Sequence, residues 1–337
     1  MTFVKKLVAV AFSVVMIAGV ASALAADKKV VVAYQTDALP SSVGIANGDF
    51  EKTTGYKIDF RRFDSGADIF AAIASGDVQI GYVGSSPYAA AVSRGLDVKA
   101  FYLASISGTD EALVARNGSG INSIADLKGK KLAAAPVSTD YYQLLALIKT
   151  QGLTEKDVQL FAIPQPEIVA AFNRGDLDGA FVWDPALTEL KKNGKVLVTS
   201  KDVADKGAPT FSAWVVTAGF AKDNAEFLKA YSSVIEKYTN SFVSNKTAWG
   251  PDSDNAKLLA KLLGGTPDNQ AAALKNLSLV PLKVQASEAW LGGGEKSGLA
   301  KILKDTSIFL KDQKKISEVL PSYAAFVAPA TVDSLQK

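Results

Sequence analysis

Histidine and cysteine are both absent from the 337-residue chain. Without imidazole there is no Ser-His-Asp or Cys-His relay, no His-ligated zinc and no His general acid or base. Without thiols there is no disulfide framework, no thiol nucleophile and no cysteine near the N-terminus to carry a lipid. Catalysis by carboxylates alone survives these exclusions, but no signature for it stands out. The run Gly292-Gly293-Gly294 lacks the Lys and Ser/Thr of a phosphate-binding loop and reads as an ordinary loop. No metal site and no cofactor is expected.

An excess of one charge is lacking too, with 37 Lys and Arg against 34 Asp and Glu. Setting aside residues 1–25, which carry Lys5 and Lys6, leaves 35 basic against 34 acidic side chains. A nucleic-acid partner is therefore not expected, because no basic excess exists to release counterions. Long apolar runs are confined to the N-terminus, where Lys5 and Lys6 precede LVAVAFSVVMIAGVA and then Ala23-Leu24-Ala25. That order of charged, apolar and small residues predicts a secretory signal peptide over 1–25, removed before Ala26. A retained membrane anchor needs about 20 apolar residues, more than this run supplies. The mature chain is expected in a bacterial periplasm as a freely diffusing monomer, without a lipid anchor and long enough for two domains with their own cores.

What the chain does contain is a duplication. Residues 69–95 return in outline at 168–194, at a constant offset of 99 positions. Ile69, Ala71, Ala72, Gly76, Asp77, Val83 and Gly95 meet Ile168, Ala170, Ala171, Gly175, Asp176, Val182 and Gly194. Each copy reads as an amphipathic helix, a Gly-Asp stop, a buried strand (VQIGYV and LDGAFVW) and a turn opening a second helix. Upstream, Thr36-Asp37 after KKVVVAY and Thr139-Asp140 after KKLAAA echo each other at an offset of 103, a slip that a loop insertion accounts for. Each half is thus expected as a β-α-β-α-β unit whose first and last turns share one rim, at the strand ends where open α/β sheets place ligands. Two such rims face to face make a cleft.

Further on, Leu228, Tyr231, Ile235 and Tyr238 recur at helical spacing and predict a helix buried along one face, within a mostly helical C-terminal region.

The segments VVVAYQTDALPSS, FRRFDSG, GYVGSSPYAAA, VSTDYYQLLALI, RGDLDGAFVWDPAL and GAPTFSAWVV resemble the periplasmic taurine-binding receptors of ABC importers, and the similarity runs through essentially the whole mature chain. The resemblance implies the α/β fold of a type II periplasmic binding protein, two β-α-β-type lobes around a ligand cleft, with a helical C-terminal region. It implies lobe one at 26–112 plus 216–337 and lobe two at 113–215, the chain crossing near Glu111–Ala115 and Trp214–Thr217. It also implies closure on taurine or a similar small sulfonate, and delivery to the membrane permease of the transporter.

A sulfonate removed from water requires several donors, which helix N-termini provide without a cation. The candidates are the turns at Gln35-Thr36, Ser85-Ser86 and Ser138-Thr139. Each is equally an ordinary helix cap, and it is their convergence on one rim that favours ligand contact. The ammonium of taurine requires a carboxylate or carbonyls, with aromatic faces in support. Asp184 stands opposite Ser85 in the repeat, although it is also a good cap before Pro185; Glu111, at the first crossing, is the other candidate. Trp183 and Trp214 are expected as pocket walls, with Tyr34 and Tyr142 as weaker candidates. One departure stands out: the motif resembling PTLDVWVV reads PTFSAWVV here, with Ser212 in place of an Asp. Its role then falls to Asp184 or Glu111, or the ligand is an alkanesulfonate without an amine. The pyrimidine synthase of thiamine biosynthesis resembles the same fold, but it relies on His and Cys, which this chain lacks.

Overall fold

The computed structural model describes residues 28–336, and the expected signal peptide lies outside them. Ten strands are present among the described residues: β1 (Lys29–Tyr34), β2 (Lys57–Arg62), β3 (Ile80–Gly84), β4 (Val98–Ile106), β5 (Glu111–Arg116), β6 (Lys131–Ala134), β7 (Gln159–Ala162), β8 (Gly179–Trp183), β9 (Gly194–Thr199) and β10 (Phe211–Thr217). They form two sheets, in the orders β2-β1-β3-β10-β4 and β7-β6-β8-β5-β9. The duplication is visible in that order. β3 and β8 occupy the same place in their sheets and match end to end at the offset of 99, each preceded by an amphipathic helix, Gly66–Ala74 or Gln165–Arg174. Gly76 and Gly175 close those helices with φ of +87° and +86°, which requires glycine at both positions. The last pair diverges: Gly95 turns with φ +89°, whereas Gly194 enters β9, where a Cβ would lie 2.6 Å from Val114 Cγ1.

Each sheet also receives one strand from the other half of the duplication. β5 lies antiparallel between β8 and β9, and β10 lies antiparallel between β3 and β4. Because β1, β3, β6 and β8 run parallel within their sheets, their C-terminal ends form one rim per sheet. The antiparallel strands bring their first residues to the same rims, Ser212 opposite Gly84 and Glu111 opposite Trp183.

The passages between sheets differ from those expected. β5 belongs to the second sheet from Glu111 onward, so the first passage is 107–110. Trp214 sits in the middle of β10, paired with Tyr82 on one side and Tyr102 on the other, so the second passage lies upstream of Phe211 rather than at Trp214–Thr217. The physical reason is the apolar run FSAWVV, which completes the first sheet, while Gly207-Ala208-Pro209 carries the turn.

The long helix Ala225–Ser244 buries Leu228, Tyr231, Ile235 and Tyr238, the face expected from their spacing. It lies against the first sheet through an aromatic cluster in which the Tyr231 ring is 4.4 Å from Phe50 and 5.5 Å from Trp214, centroid to centroid. Burying each such side chain contributes about 1.5–3 kcal/mol. The second sheet carries apolar layers on both faces, one around Leu144, Leu147 and Phe181, the other around Ile168, Phe172 and Leu187. Among the described residues, no helix is long and apolar enough to cross a membrane.

Candidate functional site

The two rims enclose a narrow cavity of about 20 Å³. Three helix N-termini open onto it: Gly66–Ala74 through Ser65, Gly66 and Ala67, Ser85–Ser93 through Gly84 and Pro87, and Thr139–Thr150 through Ser138 and Thr139. Each helix has at least two full turns, so each presents backbone N–H groups and the positive end of its dipole to the same space. The approach is close. A Cβ on Gly84 would lie 2.9 Å from Thr139 Cγ2 of the other lobe, and here glycine is required by proximity, not by φ.

Of the expected site residues, Gln35, Glu111, Ser138, Thr139, Trp183 and Ser212 line this cavity. Their hydrogen bonds limit what each can do. Gln35 Nε2 donates to the Tyr82 carbonyl at 3.1 Å. Ser138 Oγ accepts from Tyr141 N at 3.0 Å and donates to the Ala135 carbonyl, so its hydroxyl serves as a helix cap and its lining contribution is the helix terminus itself. Thr139 Oγ1 donates to Glu111 Oε1 at 2.8 Å, which fixes the carboxylate and leaves its Oε2 sealed from solvent without a protein donor. Trp183 retains 7% exposure, and its Nε1 is likewise buried and unpaired.

Four expectations come out differently. Ser85 is the first residue of its helix rather than the cap, its Oγ accepts from Phe211 N of β10 at 3.4 Å, and it does not line the cavity. Ser86 is buried between the lining residues Gly84 and Pro87, its hydroxyl unpaired. Thr36 is half-buried between Gln35 and Asp37 but does not line the wall. Trp214 is only 1% exposed and is not a pocket wall. It shares the face of β10 with Ser212 but lies two residues deeper, where Tyr231 of the long helix covers it.

Asp184 does not line the main cavity either. It lines a smaller annex of about 10 Å³, whose wall includes Asp37, Asp110, Trp183 and Leu277. Asp37 and Trp183 belong to both spaces. The expected capping role of Asp184 occupies one oxygen, since Thr188 N and Oγ1 donate to Oδ1 at 2.9 and 2.6 Å. Its Oδ2 is buried and unpaired.

The site is therefore far more acidic than the sequence indicated. Asp37 and Asp110 join Glu111 and Asp184 on the walls, and Asp140 is buried behind them without lining either space, each with at least one carboxyl oxygen buried and without a hydrogen-bond partner. Burial, reinforced by the charges of Glu111 and Asp184, pushes Asp37 up to about 7. Burial also raises Glu111 to about 7 against the hydrogen bond from Thr139. Asp110 and Asp140 are driven well above the carboxylate range, by burial first and then by the Glu111 charge. Asp184 is raised by burial and partly restored by Thr188. Among the described residues, no Lys or Arg lines either space. A small ligand with an anionic end for the helix termini and a cationic end for the carboxylates satisfies both halves. Among the described residues, no group of acidic side chains is arranged to hold a metal ion.

A family model described as ABC transporter, phosphonate, periplasmic substrate-binding protein matches residues 30–231. The taurine-binding periplasmic protein of Escherichia coli (strain K12) is 41% identical over 300 residues, 88% of this chain and 91% of that one. The crystal structure of the periplasmic aliphatic sulphonate binding protein SsuA from Escherichia coli shares the fold with a TM-score of 0.71 at 19% identity, over 90% of this chain and 92% of that one. The fold extends further, to the desulfurization enzyme DSZB, at a TM-score of 0.59 and 14% identity over 91% and 98% of the two chains.

Proposed function

Because the chain belongs to the periplasmic substrate-binding proteins of ABC transporters, we propose that it is a taurine receptor that closes its two lobes on the ligand and hands it to a membrane permease. The observation that carries this reading is the polarity of the cavity: three helix N-termini on one side, buried carboxylates without a cation on the other. The sulfonate lies against the N-termini at Ser65-Gly66, Gly84-Ser85-Ser86 and Ser138-Thr139, with Gln35 beside it. The ammonium lies toward Asp37, Glu111 and Asp184, over the Trp183 ring, with Ser212 at the wall. Micromolar affinity requires about 8 kcal/mol net, which several charge-assisted hydrogen bonds around a desolvated zwitterion can supply.

The bodies that close are those built on the two sheets, hinged at 107–110 and upstream of Phe211. The protein acts as a monomer, exported with removal of residues 1–25 and not lipid-anchored. A binding role without catalysis is the reading its relatives favour, and among the described residues the titratable groups lining the cavity are carboxylates. The alternative cargo is an alkanesulfonate without an amine, favoured by Ser212 where related receptors are expected to carry Asp. The unneutralised carboxylates weigh against it.

Calorimetric titration with taurine, ethanesulfonate, β-alanine and 2-aminoethylphosphonate tests the proposal. Taurine is expected to bind at least about tenfold tighter than the other three, a difference of about 1.4 kcal/mol. Tighter binding of ethanesulfonate would refute the amine subsite, and tighter binding of the aminophosphonate would move the cargo to that class.

A further inference from the structure

The loop after β6 contains a β-branched residue in the left-handed region, Val137 with φ +58°. A branched side chain adopts that conformation only where its surroundings over-determine it, and such residues concentrate at ligand clamps and switches. The loop itself holds Val137 there, because Ser138 N and Oγ both donate to the Ala135 carbonyl across Pro136-Val137, but what its side chain meets belongs to the other lobe. Its backbone continues from the second sheet, yet its side chain packs against the apolar core of the first. There it lines a groove between the helices Gly66–Ala74 and Ser85–Ser93, against Phe70, Ala71, Pro87 and Ala91. The same residue lines the ligand cavity, next to Ser138 and Thr139.

We propose that Val137 is the latch of the closed receptor, a positioning residue whose side chain seats in the groove of the opposite lobe only when the lobes meet. This rests on the receptor reading above. An open-closed equilibrium is shifted only by interactions that the closed state makes and the open state lacks, and one formed after the ligand has entered acts on release rather than entry. The left-handed backbone aims the side chain across the cleft, so the latch is built into the loop before ligand arrives. Thr139, two residues on, carries the helix terminus toward Gly84, and the latch and the anion-binding termini therefore engage in one motion.

The test uses Val137→Ala and Val137→Gly in the full mature protein. Both remove the packing across the cleft, and glycine also relaxes the backbone. Stopped-flow taurine binding is expected to show dissociation about tenfold faster in both variants, with association unchanged within about twofold. Unchanged dissociation in Val137→Ala overturns the latch. So does wild-type dissociation in Val137→Gly alone, because that would assign the effect to backbone strain. A second measurement does not depend on the identity of the ligand. Since the chain has no cysteine, spin labels at Lys57→Cys and Gln159→Cys report the distance between the outer strands of the two sheets. Val137→Ala is expected to shift the ligand-free distribution toward longer distances. An unchanged distribution overturns the latch even if taurine binds, whereas a shift in a protein that ignores taurine sinks the cargo assignment and leaves the latch standing.

Discussion

Lowering the pH is the sharpest perturbation of this site, because the proposed amine partners bind protons when no ligand is present. Asp37 and Glu111 are pushed up to about 7 by burial, while unfolded carboxylates titrate near 4. A bound ammonium favours the ionised form, so taurine must displace a proton wherever these groups are protonated. At pH 5.5, about 1.5 units below their folded values, ionising one such group costs roughly 2 kcal/mol. The dissociation constant for taurine is then expected to rise about 30-fold between pH 7.5 and 5.5, with about one proton released per ligand at the lower pH. Calorimetry in buffers of different ionisation enthalpy measures both quantities. Ethanesulfonate should show the opposite slope, since an anion without an amine prefers the protonated cluster. The ligand-free protein adds a further sign. The folded values are raised, so the folded state binds more protons than the unfolded one between about pH 4 and 7. That contribution to stability is full below the unfolded values and is lost as pH rises through about 7. The melting temperature without ligand should therefore fall from pH 5 to pH 8, while the stabilisation by taurine grows. Taurine binding that is flat with pH, with no proton released, would refute the role of these carboxylates.

Other expectations follow from single residues. Gly84→Ala places a methyl group 2.9 Å from Thr139 Cγ2 and should hold the lobes apart by a few tenths of an ångström, weakening taurine about tenfold in a calorimetric titration with little change in ligand-free melting; unchanged affinity would show that the lobes do not meet there. Glu111→Gln keeps the shape and the Thr139 bond but removes a charge, so taurine should weaken by about 1.5–3 kcal/mol while ethanesulfonate tightens; equal losses for both ligands would exclude an amine partner. Ser212→Asp restores the acid expected in related receptors, and a several-fold gain for taurine with a loss for ethanesulfonate is anticipated; a loss for both would mean that the existing carboxylates already satisfy the amine.

Much of this architecture was legible because the duplication writes the same local signals twice. Gly76 and Gly175 mark equivalent helix stops, and the strands after them end on equivalent rims, so Gln35, Ser138, Thr139, Glu111 and Trp183 could be assigned to one space from spacing and resemblance together. The helix terminus at Ser65-Gly66 carries no such signal in the sequence, because its counterpart under the offset is Pro164. The acidic cluster is hidden for a different reason. Asp37 and Asp140 follow threonines in turns, where an aspartate ordinarily caps a helix in contact with water. The burial of Asp37 depends on the far lobe and on the C-terminal region, which supplies Ala273 and Leu277 to the annex wall. The depth of Trp214 is likewise set by a distant element. Strand periodicity assigns a face but not a depth, and the helix that covers Trp214 begins at Ala225, beyond the strand itself.

The duplicated positions also explain how a nearly symmetric frame holds an unsymmetric ligand. Gly84 and Trp183 end equivalent strands, Ser85 and Asp184 follow them, and the inserted strands set Ser212 opposite the first and Glu111 opposite the second. On one side all three positions are neutral, glycine permits close approach, and the helix that follows runs for nine residues, which gives its N-terminus a full dipole. On the other side the corresponding residues are an aromatic and two acids, and the helix runs for only five residues, its first turn tied back to Asp184. The two copies have thus diverged toward opposite charge preferences while keeping the same backbone rim. Asp37 and the terminus at Ser138 cross that division, each contributed by the lobe of the other preference. Under the proposed function a zwitterion is gripped by both lobes at both of its ends, and neither lobe alone satisfies it. That is the condition under which a small ligand, with few atoms to offer, can still make closure favourable.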